Sequence, residues 1–210
     1  MNDDNPSKTP HMGADDHHGE SAVPHRQIRA VYDDATIRVY QAYSHAIADA
    51  ALRAGRFVAP FKRERMTWIK PSFLWMMYRA GWGHKDAGQA RVLAIDIDRA
   101  GFEWALRHAC ASHPDPDMSP GEWEQHKRAH PVRIQWDPER DLHLRPLPHR
   151  SIQIGLGPLA VDRYVEQWIH RIDDITPLAH RIHGLVQAGR LDEAGAALPT
   201  ERPYPVASPV

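Results

Sequence analysis

Apolar and polar positions along the chain fall into blocks of different period. QIRAVY and TIRVYQAY, separated by the turn-like DDAT, are rich in β-branched and aromatic residues and predict a first strand or a hairpin. SHAIADAALRAGRF changes to helical spacing, with Ile47, Ala48, Ala51 and Leu52 on one face, Ser44 placed to cap the start and Gly55 to stop the end. Residues 1–25 instead carry Asp, Asn, Pro, Gly and His with almost no apolar periodicity. That is too little to offset the entropy of ordering them, and it predicts a disordered arm.

The stretch RMTWIKPSFLWMMYR, from Arg65 to Arg79, divides at Pro71. MTWIK is extended because a residue before proline is steered away from the α region, and Pro71 suits the first turn of a helix running through SFLWMMYRA to Gly81. That helix is apolar on nearly every side, so it belongs between layers and not on the surface.

Further along, RVLAIDID alternates Leu93, Ile95 and Ile97 against Ala94, Asp96 and Asp98 and predicts a strand, and RAGFEWALRHACASH follows at helical spacing with Cys110 inside it. HPDPDMSPGEWEQHKRAHP reads as loop with at most a short helix, VRIQWD as a strand before the turn DPERD, and LHLRPLPHRSIQIGLG as one or two short strands. PLAVDRYVEQWIHRI is an amphipathic helix, LAHRIHGLVQAGRL another, and LDEAGAALPTERPYPVASPV, with its prolines, an extended tail laid on the body. No solenoid-length repeat is present. The whole predicts one layered α+β domain over residues 26–200 with short strands and about five to six helices, preceded by the arm and followed by a Pro-rich tail over 201–210.

Composition narrows the function. With 26 basic and 27 acidic residues the chain has no polyelectrolyte character to draw it onto nucleic acid nonspecifically, so any anion site is local. The longest strongly apolar run, FLWMMY, is far short of the roughly 20 residues that cross a bilayer, and the polar, acidic N-terminus is no secretion signal. Cys110 is the sole cysteine, which rules out an intramolecular disulfide and any cysteine-based zinc site and suits the reducing cytoplasm. His11, His17, His18 and His25 lie in the arm with no spacing that fixes a geometry, and RHACASH and HRIHG lack spaced carboxylate partners, so no metal is expected. Neither GxxxxGK[ST], nor GxGxxG after a strand, nor GxSxG occurs.

Three places could carry chemistry. Arg65, Thr67, Lys70 and Ser72 put two cations and two hydroxyls at a strand end and a helix start, where free N–H groups and the helix dipole favour a phosphate or carboxylate. The plain alternative is that Arg65 and Lys70 are solvated strand ends and Ser72 only a cap. In LPHRSIQIG, Ile152, Ile154 and Leu156 share one face of an extended chain, leaving His149, Ser151 and Gln153 on the other with Gly155 beside them. That is the pattern of a cleft-facing strand, and equally of a solvent-facing one. Gln41 falls on the face of Ile37, Val39 and Tyr43 and must be paired if buried, either to tie strands together or to meet a ligand. Arg29 and Tyr32 could reach the same end. The rings and thioethers of Trp68, Phe73, Trp75, Met76, Met77 and Tyr78 suit flat ligands, but at helical spacing core packing accounts for most of them.

RMTWIKPSFLWMMYR, with VYQAY and HRSIQIGL, resembles the uncharacterised bacterial and fungal family known as domain of unknown function 4291, over about Ile28 to Tyr204. The resemblance implies one intact domain and no established activity. In the order of its polar strands the chain is also similar to ADP-ribosyltransferase-like folds, which hold NAD in a split sheet, except that Gln153 stands where those enzymes carry a late glutamate. Two functions are therefore expected. One is a small enzyme, of the glycosyl- or ADP-ribosyl-transfer type, that binds a phosphate-bearing ligand such as a nucleotide, NAD or a nucleic-acid end, with His149, Gln153 and Gln41 as catalytic candidates and Arg29, Tyr32, Arg65, Thr67, Lys70 and Ser72 as ligand-binding ones. The other is a non-catalytic module for a nucleotide or single-stranded nucleic acid.

Overall fold

Two strands found by alternation build the first sheet. β2 (Thr36–Tyr43) and β4 (Arg91–Asp98) pair antiparallel from Thr36–Asp98 to Tyr43–Arg91, and β8 (Ile169–Asp174) joins the other side of β4 with a bulge between Asp96 and Ile97. The computed structural model describes residues 23–206. Most of the expected N-terminal arm, with His11, His17 and His18, lies outside the described residues, as does the end of the expected C-terminal tail. Among the described residues the chain forms nine strands and seven helices, an α+β fold in open sheets.

β4 is covered on both faces, which is why its sequence is nearly continuous in apolar residues. Leu93, Ile95 and Ile97 enter a core shared with Ile37, Val39, Phe57, Phe102, Ile154, Tyr164 and Trp168. Val92 and Ala94 point the other way, into a second cluster with Tyr40, Phe73, Met76, Met77 and Ile182.

The second sheet has the order β3 (Thr67–Ile69), β7 (Pro146–Leu156), β6 (Val132–Arg140), β5 (Ala109–Ala111), antiparallel except for the parallel β5–β6 pair. The edges of the two sheets meet where the Tyr40 N–H donates to the Lys70 carbonyl at 2.7 Å. A two-stranded ribbon of β1 (Arg29–Ala30) and β9 (Arg202–Pro203) brings the late segment back to the body and buries Tyr204. Residues 201–204 are thus laid on the body, with Arg202 and Pro203 as a strand.

Several elements depart from the sequence pattern. Ser72, not Pro71, begins α2 (Phe73–Ala80): its side chain accepts from the Trp75 N–H, and Gly81 ends the helix in the left-handed region at φ 55°. α1 (His45–Ala54) stops at Gly55 as expected. α3 (Arg99–Arg107) ends before Cys110, which lies on β5 and not in a helix, because pairing with β6 overrides a short stretch whose periodicity is ambiguous. α4 (Pro120–Ala129) is a full helix opened by a capping box of Ser119 and Glu122. β6 runs through Pro138, where the register shifts, so DPER is strand and not turn; β5 pairs only as far as Ile134, leaving Pro138 on a free edge that needs no N–H. PLAVDRYVEQWIHRI splits into α5 (Pro158–Arg163), a π-helical turn over Tyr164–Trp168 and β8. α6 (Thr176–Gln187) is followed by α7 (Leu191–Ala196), which lies in the expected extended tail.

Candidate functional site

Register in the second sheet arranges polar residues into rows on the face turned from the main core. Ile152, Ile154 and Leu156 are buried on the core side, so Ser151 and Gln153 project the other way. Pairing sets Gln153 opposite Gln135 and Ser151 opposite Asp137. Gln135 and Gln153 both donate to the Asp137 carboxylate, at 2.9 and 2.7 Å. Gly155 faces Trp68 so closely that a Cβ there would sit 2.9 Å from the indole ring and 2.8 Å from the Met66 sulfur. Glycine is required at that crossing.

One residue beyond β3, Lys70 lies on the same face and is 6% exposed. Its ammonium donates to the Trp68 carbonyl at 3.2 Å and sits 5.3 Å from the centre of the Trp75 ring. No carboxylate pairs with it among the described residues. Burial, reinforced by the Arg79 charge and opposed by Asp137, brings its pKa down to about 7.

Two carboxylates close the start of α2. Glu139, on the strand segment beyond the bulge, accepts from the Ser72 hydroxyl at 2.9 Å and from the Arg140 N–H at 2.8 Å. Glu201, just before β9, accepts from the Phe73 N–H at 2.7 Å. The helix N-terminus that the sequence offers to an anion is therefore engaged by this chain's own carboxylate and serine. Burial raises the pKa of Glu139, against hydrogen bonds from Arg140 and Ser72 and the nearby His149. It raises Glu201 to about 8, helped by the negative charge of Glu139 and opposed by the Phe73 N–H and by Arg29.

Four buried polar atoms on these elements lack a hydrogen-bond partner: the Tyr40 hydroxyl, Trp75 Nε1, Arg140 Nε and the Ser151 hydroxyl. Each belongs to a residue tied to the same cluster. Tyr40 packs edge-on against Phe73 at 5.6 Å, Trp75 lies under Lys70, and the Arg140 guanidinium sits 3.6 Å above the Tyr78 ring. Ser151 lies one register row from Gln153, beside Glu139. Trp Nε1 and Arg Nε can only donate, and the two hydroxyls can donate. Two buried N–H donors of the cluster therefore lack an acceptor, beside the carboxylates of Asp137, Glu139 and Glu201.

Of the residues proposed from sequence, the fold gathers Lys70, Ser72, His149 and Gln153, and brings Arg29 to Glu201. It separates the others. Gln41 is buried and fully paired, donating to the Tyr43 hydroxyl and the Trp68 carbonyl and accepting from Tyr164 at 2.8 Å. Thr67 alternates with Trp68 and is buried on the opposite side of β3 from it. Arg65 is exposed in the approach to β3, and Tyr32 donates to the Pro203 carbonyl, stacked beneath Arg202. Glu139, Glu201, Tyr40 and Arg140 are the members sequence reasoning missed. Asp141 accepts from its own turn instead of ending β6 earlier. A shallow pocket of about 220 Å3 between Pro24, Ile28, Trp136 and Tyr204 opens on the other face of β6 and holds no acid or base pair.

The model of a family described as domain of unknown function (DUF4291) matches residues 27–204. A search of curated proteins finds no match.

Proposed function

We infer the function of this chain, which belongs to the family described as domain of unknown function (DUF4291), from the cluster around Lys70. We propose a small enzyme acting on a phosphate-bearing ligand of the nucleotide or NAD class. One observation carries the reading: a buried ammonium with no ion-pair partner among the described residues lies over the Trp75 ring, whose own N–H has no acceptor, on elements that also carry the unpartnered Arg140 Nε. A phosphate brings both the missing charge and the missing acceptor oxygens. Lys70, Arg140 and Trp75 would hold it. Glu139, raised toward neutrality and touching Ser72, would move the proton, with His149 beside it.

A split sheet of the ADP-ribosyltransferase kind would hold NAD where the edges of the two sheets meet at the Tyr40–Lys70 bridge, with Glu139 of β6 as its carboxylate instead of a residue at Gln153. NAD is therefore the first ligand to test. A non-catalytic binding module is the second reading, favoured by the way both glutamates are already engaged in capping α2.

The test is thermal shift with pyrophosphate, ADP and NAD at pH 7, followed by mass spectrometry of the ligand. Stabilisation of wild type but not of Lys70→Met is expected, because a ligand that binds the folded state raises its melting temperature. Glu139→Gln is expected to keep the shift and to lose turnover of the ligand. A shift without turnover in wild type supports the second reading. No shift with any of the three overturns both.

A further inference from the structure

β5 and α4 meet on the sheet face that carries Lys70, three strands away from it. Cys110 at the centre of β5 is buried, and its register partner is Arg133. His126 and His130 stand four residues apart at the end of α4 and so share one face of it. Their rings are 4.3 Å apart, and one ligand atom from each of Cys110, His126 and His130 lies within 4.8 Å of the other two. A tetrahedral ion bonded at about 2.3 Å to sulfur and about 2.0–2.1 Å to nitrogen holds its ligand atoms roughly 3.5 Å apart. The observed limit of 4.8 Å lies roughly 1.3 Å beyond that spacing.

Two further contacts prepare the place. His130 Nδ1 is 2.9 Å from the His126 carbonyl oxygen. A carbonyl only accepts, so Nδ1 carries the proton and Nε2 keeps the lone pair that a metal takes. Arg133 donates to the carbonyls of His130 at 2.5 Å and Lys127 at 2.8 Å, fastening the histidine-bearing turn to the strand beside Cys110.

We propose that Cys110, His126 and His130 form a binding site for a divalent transition-metal ion of the zinc class, with a fourth position open to water or another ligand. One thiolate and two imidazoles select zinc, cobalt and their neighbours over magnesium and calcium, which require oxygen ligands. The thiolate charge offsets half that of the ion, and Lys127, the other cation nearby, is paired with Glu124. The sequence ruled out a cysteine-based zinc site on the count of one cysteine, read inside a helix, with His126 and His130 in a segment read as loop; the pairing of β5 with β6 and the full length of α4 bring the three together.

Titration of the full chain with Co2+ tests it. A thiolate-to-cobalt charge-transfer band in the near ultraviolet is expected, with visible bands of tetrahedral intensity that Zn2+ abolishes. Cys110 is the sole cysteine, so no histidine tract elsewhere in the chain can produce that band. Cys110→Ser should lose it. His126→Gln and His130→Gln should each weaken binding more than about tenfold, since even outer-shell partners are worth 10–100-fold, while His84→Gln should leave it unchanged. Absence of the band in wild type with excess Co2+, or a band of unchanged affinity in both histidine variants, overturns the site.

Discussion

Gln41 and Lys70 are buried polar residues beside the same sheet junction, and they differ in how their groups are satisfied. Gln41 makes three hydrogen bonds, one of them with the Tyr164 hydroxyl. Gln41→Leu should therefore destabilise by about 1–3 kcal/mol, the cost of leaving that buried hydroxyl unpaired. A urea melt with unchanged slope and a lower midpoint is the expected result. The alternation of TIRVYQAY placed Gln41 on an inward face but left pairing and ligand contact open, since its partners come from Trp68 and Tyr164, far along the chain. Lys70 was legible as a residue of interest and not as a buried one. Its place at the junction is set by the bridge to Tyr40, thirty residues earlier, which no local pattern brings to it.

At the scale of elements, strand faces survived best. The split of LPHRSIQIG into Ile152, Ile154 and Leu156 against Ser151 and Gln153 is the one in the fold, because a period of two fixes the face wherever one side is core. Elements decided by distant pairing did not: β5 was read as helix, and β6 was stopped at Pro138, which hid Glu139 from the site. α4 carried a legible signal in Ser119–Glu122, the spacing of a capping box, set aside for the surrounding prolines and glycine. Ser119→Ala should cost about 1 kcal/mol, read by urea unfolding. In a helix without buried residues, little else compensates.

The whole molecule should record the cluster in its dependence on pH. Glu201 is raised from 4.5 to about 8, so between those values the folded chain holds a proton that the unfolded chain has lost, and stability falls as pH rises. Lys70 is lowered from 10.5 to about 7, so between those values the unfolded chain holds the extra proton, and stability rises with pH. Their joint contribution passes through a minimum between pH 7 and 8. The double variant Lys70→Met, Glu201→Gln should lose this trough and melt higher than wild type near pH 7.5; the gap should narrow toward pH 10 as Lys70 in the wild-type unfolded chain loses its proton. Melting temperatures of both proteins from pH 5 to 10 check it, each fully shifted group contributing about 1.4 kcal/mol per pH unit inside its window.

Glu201 reaches the Phe73 N–H across 128 residues of chain. In the order of synthesis, α2, β6 and β7 all leave the ribosome well before the carboxylate that closes them, and loop closure over such a span is paid for only when the last contact is made. Until Glu201 follows, Ser72 can cap the helix and meet Glu139, but the Phe73 N–H has no carboxylate to accept from it. The cluster is therefore born incomplete and is finished in one late step, when β9 docks on β1.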